Sequence, residues 1–314
     1  MSALAMMMHM LMERLTPGDR PRVPEPDLVM DAPEQVQAFA SSGDRDGPLA
    51  PIYLYLATQA ARAIPRGGRV LDLACGPCNQ LAVLAALHPD TEFVGLDLSP
   101  TMLEQAKATL ERTGLRNVRL VQGDMRTLAG FADQSFDGVF STLSLHHLPT
   151  PADLEQTGRA VARVLRTGAG VYLADFGRLK RQATLRFLVQ DRENEQTPLF
   201  TQDFMNSLQA AFSPSELRQI VQPLMAPGAE VQVHTTALAP FMVIMHRAVA
   251  PPPSSDAWAQ AIRTAFAALS DSHQRDVLAL ANWFQAGGLP LPLTLQRSSS
   301  VDQPRGNPST NASN

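Results

Sequence analysis

Lysine is nearly absent from this 314-residue chain. Only Lys107 and Lys180 occur, so almost all positive charge is arginine. Basic residues number 26 against 30 acidic ones, which gives a formal net charge of −4. Neutralising a phosphate backbone needs clustered cations, so this balance speaks against a nucleic-acid partner. Cysteine is equally sparse, with Cys75 and Cys78 alone. No second Cys/His pair stands at ligand spacing, so this C-x-x-C is not a zinc site by itself, and no metal is expected. Two cysteines do not make a disulfide scaffold, and the chain reads as cytoplasmic. A thioredoxin-like redox motif is the sharper reading of the pair. Two loop cysteines packed into the interior is the plainer one, and it is preferred. No apolar run reaches the roughly 18 residues of a membrane helix, so no membrane span is expected. The Met-rich start, Met1 to Leu15, lacks a basic n-region and a clear cleavage site, which argues against a signal peptide. An amphipathic helix, or a translation start at a later Met, accounts for it.

What is present is a hydrophobic fraction of 45%, enough for a sizeable core in one large α/β domain or two small ones. Residues 16–35 hold Pro17, Pro21, Pro24, Pro26 and Pro33 and read as irregular. Helices are expected from about Asp31 or Ala32, and over Ile52–Ala63. From Arg69 short apolar runs alternate with helical periodicity. Strands are expected at Arg69–Leu73, Glu92–Leu96, Val118–Gln122, Phe136–Ser141 and Ala169–Phe176. Helices are expected at Gln80–Leu87, Ser99–Thr113 and Pro151–Val164. That alternation implies βαβ units and a parallel sheet covered on both faces. Residues 178–212 look helical and amphipathic, and Ser213 or Ser215 caps a helix to about Leu224. Glu230–Leu238 and Phe241–Arg247 read as an antiparallel pair closing the sheet. Pro251–Ser255 reads as a linker, Asp256–Gln285 as one or two helices, and 298–314 as a disordered tail. No internal repeat is visible.

The chemistry gathers at strand ends. Val70-Leu71-Asp72-Leu73-Ala74-Cys75-Gly76 is a strand running into a tight turn, and a glycine there lets backbone approach a ligand closely. In doubly wound sheets, ligands bind at the carboxyl ends of the strands. Asp97 ends the second strand, where a carboxylate can accept two hydrogen bonds from a ribose diol. Asp124, after Gly123, ends the third and could accept from an adenine amine. The fourth run is Phe136-Asp137-Gly138-Val139-Phe140-Ser141-Thr142-Leu143-Ser144-Leu145-His146-His147-Leu148.

These four runs, in order over about residues 69–176, resemble the class I S-adenosylmethionine (SAM) dependent methyltransferases of the small-molecule group. Their signatures are close to VLDLGCGTG, D-x-S-x-x-M-L, G-D and S-x-x-x-L-H-H-L. The resemblance implies a Rossmann-like α/β fold: a seven-stranded, mostly parallel sheet with helices on both faces, a helical lid and a C-terminal helical appendage. It implies SAM as cofactor and a small-molecule acceptor. Asp72 and the Ala74–Gly76 turn would hold the methionine part. Asp97 would take the ribose hydroxyls, and Leu98 and Met102 would pack on adenine. Asp124 would accept from the adenine amine, with Gly123 before it and the Met125 backbone beside it. Ser141 and Leu143 would pass close to the methyl group. The family's loop usually has glycine where Ala74 and Cys78 stand, and Asn79 could donate to the SAM carboxylate.

Methyl transfer needs little acid–base chemistry, because the sulfonium is already activated. A base is required only for a weak nucleophile. His146 and His147, just past the fourth strand, are the candidates, and structural packing is the plainer alternative. Tyr53 and Tyr55 before the sheet, and Tyr172, Asp175, Arg178 and Lys180 near the fifth strand, are substrate candidates. The expected division is an N-terminal helical lead-in and lid segment (1–66) and a SAM-binding domain (67–249, with 178–212 as a lid insertion). C-terminal helices (250–297), which could form a dimer contact, and the tail complete it. Three alternatives stand beside this. A dehydrogenase lacks its G-x-G-x-x-G here. Against an RNA or protein methyltransferase, no Asn-Pro-Pro-Tyr type motif follows the fourth strand, where Ser141-Thr142-Leu143-Ser144 stands instead. A non-catalytic SAM-binding protein is the third.

Overall fold

The structure, a computed structural model, describes residues 3–190, 196–226, 228–249 and 256–297. The expected linker at 251–255 and the tail at 298–314 lie outside the described residues. A seven-stranded sheet organises the chain. Its strands are β1 (Arg69–Leu73), β2 (Glu92–Asp97), β3 (Val118–Gln122), β4 (Phe136–Thr142), β5 (Leu165–Phe176), β6 (Gln232–Thr235) and β7 (Met242–Arg247). The spatial order is β3-β2-β1-β4-β5-β7-β6. The first five run parallel, and β7 pairs antiparallel with both β5 and β6. The order reverses between β1 and β4, and that switch point opens a crevice at the carboxyl edge.

Strand alternation sorts side chains into two cores. Val70, Phe93, Phe140, Tyr172 and Ile244 face one side, and Leu71, Leu73, Val94, Val139, Val171 and Met245 the other. The second face is covered by α6 (Pro151–Val164) and α9 (Pro214–Val221) through Leu154, Val161, Leu217 and Ile220. The first face takes α3 (Ala50–Ala60), α4 (Asn79–Leu87), α5 (Pro100–Thr113), α7 (Gln182–Gln190) and α8 (Pro198–Ala210). The Met-rich start is helix α1 (Ala3–Leu15), and α2 (Pro33–Ser42) precedes α3. Glu13 of α1, only 2% exposed, accepts the backbone N–H groups of Lys180 and Arg181 ahead of α7.

The C-terminal helices α10 (Asp256–Ala267) and α11 (Asp271–Ala286) build a third core on α3, where Trp258, Ile262, Phe266 and Val277 meet Leu54 and Ala61. Their apolar faces are therefore buried within the chain. No helix among the described residues is long and apolar enough to cross a membrane.

Candidate active site

The loop after β1 takes a shape that few side chains adopt freely. Ala74 (φ 56°), Gly76 (φ 52°) and Cys78 (φ 63°) all lie in the left-handed region, and so does Leu143 (φ 53°) after β4. A side chain there costs about 1–2 kcal/mol per residue, and such strain gathers at functional sites. Here it turns backbone toward one cleft. At Gly76 an added Cβ would meet only Phe39, 3.8 Å away, so this stretch of main chain faces open space. Gly95 on β2 does the opposite job: a Cβ there would stand 2.9 Å from Cys75 Sγ, so glycine lets the loop pack down. Both cysteines are buried. The hydrogen bond to Cys78, together with burial, pushes the Cys75 thiol well above the usual range. An unionised, enclosed thiol is a poor redox nucleophile, in keeping with the plainer reading of the C-x-x-C.

Asp97 stands at the end of β2 with one backbone N–H on each oxygen: Gly76 donates to Oδ2 at 2.8 Å and Ser99 to Oδ1 at 2.9 Å. Burial raises its pKa, and these N–H groups oppose the rise. The carboxylate is thereby fixed in direction, with lone pairs left over for a ligand. Ser99 caps α5 by accepting the Met102 N–H, and its hydroxyl donates to Asp31 at 2.6 Å. Asp72, 3% exposed, lies deeper in the cleft. Burial raises its pKa well above the carboxylate range, and the charge of Asp97 adds to that. Among the described residues no cation offsets the rise.

The cleft has a volume of about 120 Å³ and opens to solvent, and its floor and rim come from the ends of β1, β2, β3 and β4. Of the twelve residues expected at a cofactor, eleven line it: Asp72, Ala74, Gly76, Asn79, Asp97, Leu98, Met102, Gly123, Asp124, Met125 and Leu143. Ser141 does not. Its side chain is fully buried, donates to the Leu73 carbonyl at 2.9 Å and shares a 2.6 Å bond with Ser144. Asn79 donates to the Ala40 carbonyl at 2.6 Å, which ties the loop to α2. Asp124 is held by Arg126, whose Nη2 donates to Oδ2 at 2.7 Å. Burial would raise the Asp124 carboxyl, but this guanidinium brings it below its ordinary value.

Four lining residues from outside the strand ends escaped the sequence reading: Leu28, Val29, Met30 and Phe39. They arrive from the irregular lead-in and from α2, where no periodicity marked them. The stretch 178–212 supplies no lining residue among those described. Phe200, Leu208 and Phe212 are buried in the core, and Phe187, Phe204 and Met205 pack against it.

Among the substrate candidates, Tyr53 lines the cleft, whereas Asp175 and Arg178 do not. Arg178 donates to Glu216 and to the Ala211 carbonyl. Lys180 Nζ donates to the Thr16 carbonyl at 2.9 Å. Neither is free to meet a substrate carboxylate. Asp175 is fully buried and grips His146, accepting from its Nδ1 at 2.7 Å and from its backbone N–H at 2.8 Å. Burial would lower the His146 pKa, but Asp175, with Glu25 and Asp203, brings it above its ordinary value. His147, by contrast, lines the cleft. Burial, with the neighbouring His146 and Arg22, drops its pKa to about 3, so its ring stays neutral.

Residues 70–168 match a family described as a methyltransferase domain. The likeness to methyltransferases lies in this stretch, about a third of the chain. A demethylmenaquinone methyltransferase of Geobacillus kaustophilus is 37% identical over 87 residues, 27% of this chain and 37% of the relative. A malonyl-[acyl-carrier protein] O-methyltransferase of Legionella pneumophila is 40% identical over 93 residues, 30% of this chain and 31% of the relative. The chain thus spans well under two thirds of the length of either. A solved SAM-dependent methyltransferase from Aquifex aeolicus superposes with a TM-score of 0.50 at 16% identity, over 70% of this chain and 100% of that one. That likeness carries the Rossmann-like fold. SAM is the cofactor that this likeness implies, and the cleft offers it a buried carboxylate with no cation beside it among the described residues, Asp72, and an anchored one, Asp97.

Proposed function

We propose that this methyltransferase moves a methyl group from SAM to an O, N, S or C atom of a small metabolite in the cytoplasm, releasing S-adenosylhomocysteine. One observation carries the reading: eleven residues picked by motif converge on a single cleft with Asp97 anchored at its lip. In it, Asp72 attracts the cationic methionine end, Asp97 accepts from the ribose hydroxyls, and Leu98 and Met102 pack on the adenine. SAM supplies an activated methyl on sulfur; the protein binds, aligns and excludes water. Tyr53, Leu143 and His147 border the space left for an acceptor.

The cover formed by Leu28, Val29, Met30 and Phe39, together with the acidic balance, favours a metabolite over RNA or protein. The names of the quinone and malonyl relatives support the same class. His147, neutral and with a pKa of about 3, is a weak proton acceptor. Ser141 acts through packing in this reading, and Arg178 and Lys180 are structural. The domain limits proposed are 67–249 for the catalytic unit, with 1–66 closing it and 250–297 bracing α3.

Calorimetry with SAM, S-adenosylhomocysteine and NAD tests this. Both adenosyl ligands should bind. Asp97→Ala should weaken them by about 10²–10⁴-fold, because two hydrogen bonds to a charged group are lost at about 1.5–3 kcal/mol each. Heat from NAD alone would overturn the reading in favour of a redox enzyme.

A further inference from the structure

Methyl transfer as proposed leaves one cluster without a task. Glu25, His146 and His147 each offer a ligand atom, and all three atoms lie within 4.8 Å of one another. Glu25 Oε1 stands 3.9 Å from His146 Nε2. The imidazole is aimed rather than merely packed. Its Nδ1 donates to Asp175, which turns Nε2 toward Glu25. A carboxylate behind an imidazole is how proteins fix the tautomer and direction of a metal-ligating histidine. The His147 ring lies 4.6 Å from that of His146, centroid to centroid, and borders the cleft.

The charge around the cluster points the same way. Three carboxylates, Glu25, Asp175 and Asp203, gather about His146. The nearby Arg22 spends its N–H groups on four carbonyl oxygens, those of Ala210, Pro149, His146 and Leu148. Arg22 and a protonated His146 offset part of this charge, and a bound cation would offset the rest.

We propose that Glu25, His146 and His147 bind a zinc-class divalent cation, with Asp175 holding His146 in register. Two imidazoles and one carboxylate are a donor set for zinc or a late first-row metal, and they leave a coordination position open. Bonds of about 2.0–2.2 Å make tetrahedral edges of about 3.4 Å. The 3.9 Å pair therefore needs to close by roughly half an ångström, and ligand atoms up to 4.8 Å apart by up to about 1.4 Å, through rotation of the His147 and Glu25 side chains, the latter also accepting from Ser207. Because His147 borders the cleft, the open position faces the acceptor space. There the cation would orient an acceptor oxygen and lower its pKa, a task His147 alone performs poorly. That role rests on the proposed methyl transfer; the binding of the ion does not.

The test uses untagged full-length protein stripped with chelator, then titrated with Zn2+ and Co2+ by calorimetry and visible absorption. One equivalent should bind, and Co2+ should show the intense bands of a four-coordinate N/O site. Glu25→Gln and His147→Ala should weaken Co2+ about 100-fold or more, and Asp175→Asn about 10–100-fold. SAM affinity, measured on the same samples, should hold in Glu25→Gln and reports that the fold is intact. Weak, six-coordinate Co2+ bands in the unaltered protein would overturn the proposal without recourse to any variant. So would equal Co2+ affinity in Glu25→Gln. SAM binding without metal binding refutes the ion site alone, whereas metal binding without SAM binding refutes the functional reading alone.

Discussion

Asp72 offers a perturbation in which stability and function should move in opposite directions. Its carboxylate is 3% exposed, its pKa is raised well above the usual range by burial and then by Asp97, and no cation among the described residues offsets this. Without ligand, the ionised form is a buried charge lacking a partner, which costs about 1–3 kcal/mol relative to a satisfied group. Asp72→Asn keeps the shape and removes the charge, so the ligand-free protein should gain about 1–2 kcal/mol. At roughly 2–4 °C per kcal/mol for a large domain, the melting midpoint should rise by about 2–8 °C. The sign of the pH dependence follows from the raised folded pKa. The folded carboxylate holds its proton more tightly than the unfolded one, so stability is lost as pH climbs above the unfolded value. The gain from Asp72→Asn should therefore be larger at pH 7 than at pH 5 and vanish below about 3.9. With SAM the order reverses, because removing one partner of a buried ion pair costs about 3–5 kcal/mol and should weaken binding by roughly 10²–10³-fold. Thermal melts with and without SAM, together with calorimetry, measure both arms. A variant that melts no higher than the parent and still binds SAM equally well would refute the reasoning.

Arg22→Ala removes four hydrogen bonds to carbonyls and the guanidinium lying 3.8 Å over the Phe212 ring. It should cost about 2–4 kcal/mol in urea unfolding. Gly170→Ala should cost more than about 3 kcal/mol, because its Cβ would fall 1.8 Å from the Ala63 carbonyl oxygen and backbone would have to shift; expression and melting midpoint measure it. His88, with a pKa lowered to about 4 by burial and by Arg66, should make the protein acid-sensitive. The unfolded chain binds a proton near pH 6.5 that the folded one refuses, so stability should fall between about 6.5 and 4 by up to about 3 kcal/mol. Urea midpoints at pH 7 and 5 should therefore converge in His88→Gln.

The sheet was legible because parallel strands buried on both faces write unbroken apolar runs between helices. The strand limits at Arg69–Leu73 and Val118–Gln122 coincide with the observed ones, and of the two caps offered, Ser213 or Ser215, it is Ser213 that caps α9. The motif-bearing strand ends were legible for the same reason, since each carboxylate closes a run. Less visible was which polar groups are consumed internally. Asp175 and Arg178 read as substrate contacts, but their partners His146 and Glu216 lie 29 and 38 residues away along the chain. No local pattern encodes such pairings. Asp124 read as an open acceptor, and its engagement by Arg126, two residues on, shows how a neighbour outside the motif can occupy a motif residue.

The irregular lead-in was the least legible part and turns out to be the most connected. Arg20 donates to the Leu179 and Leu208 carbonyls, and Val23 N–H donates to the Gln209 carbonyl at 3.1 Å. Glu25 accepts from Ser207, Leu28 to Met30 wall the cleft, and Asp31 accepts from Ser99. A chain without a repeating pattern can be held this way only because each polar group finds a separate partner. Its prolines, Pro21, Pro24 and Pro26, reduce the entropy lost in holding it. One end thus braces the cap behind Asp97, and the other reaches His146.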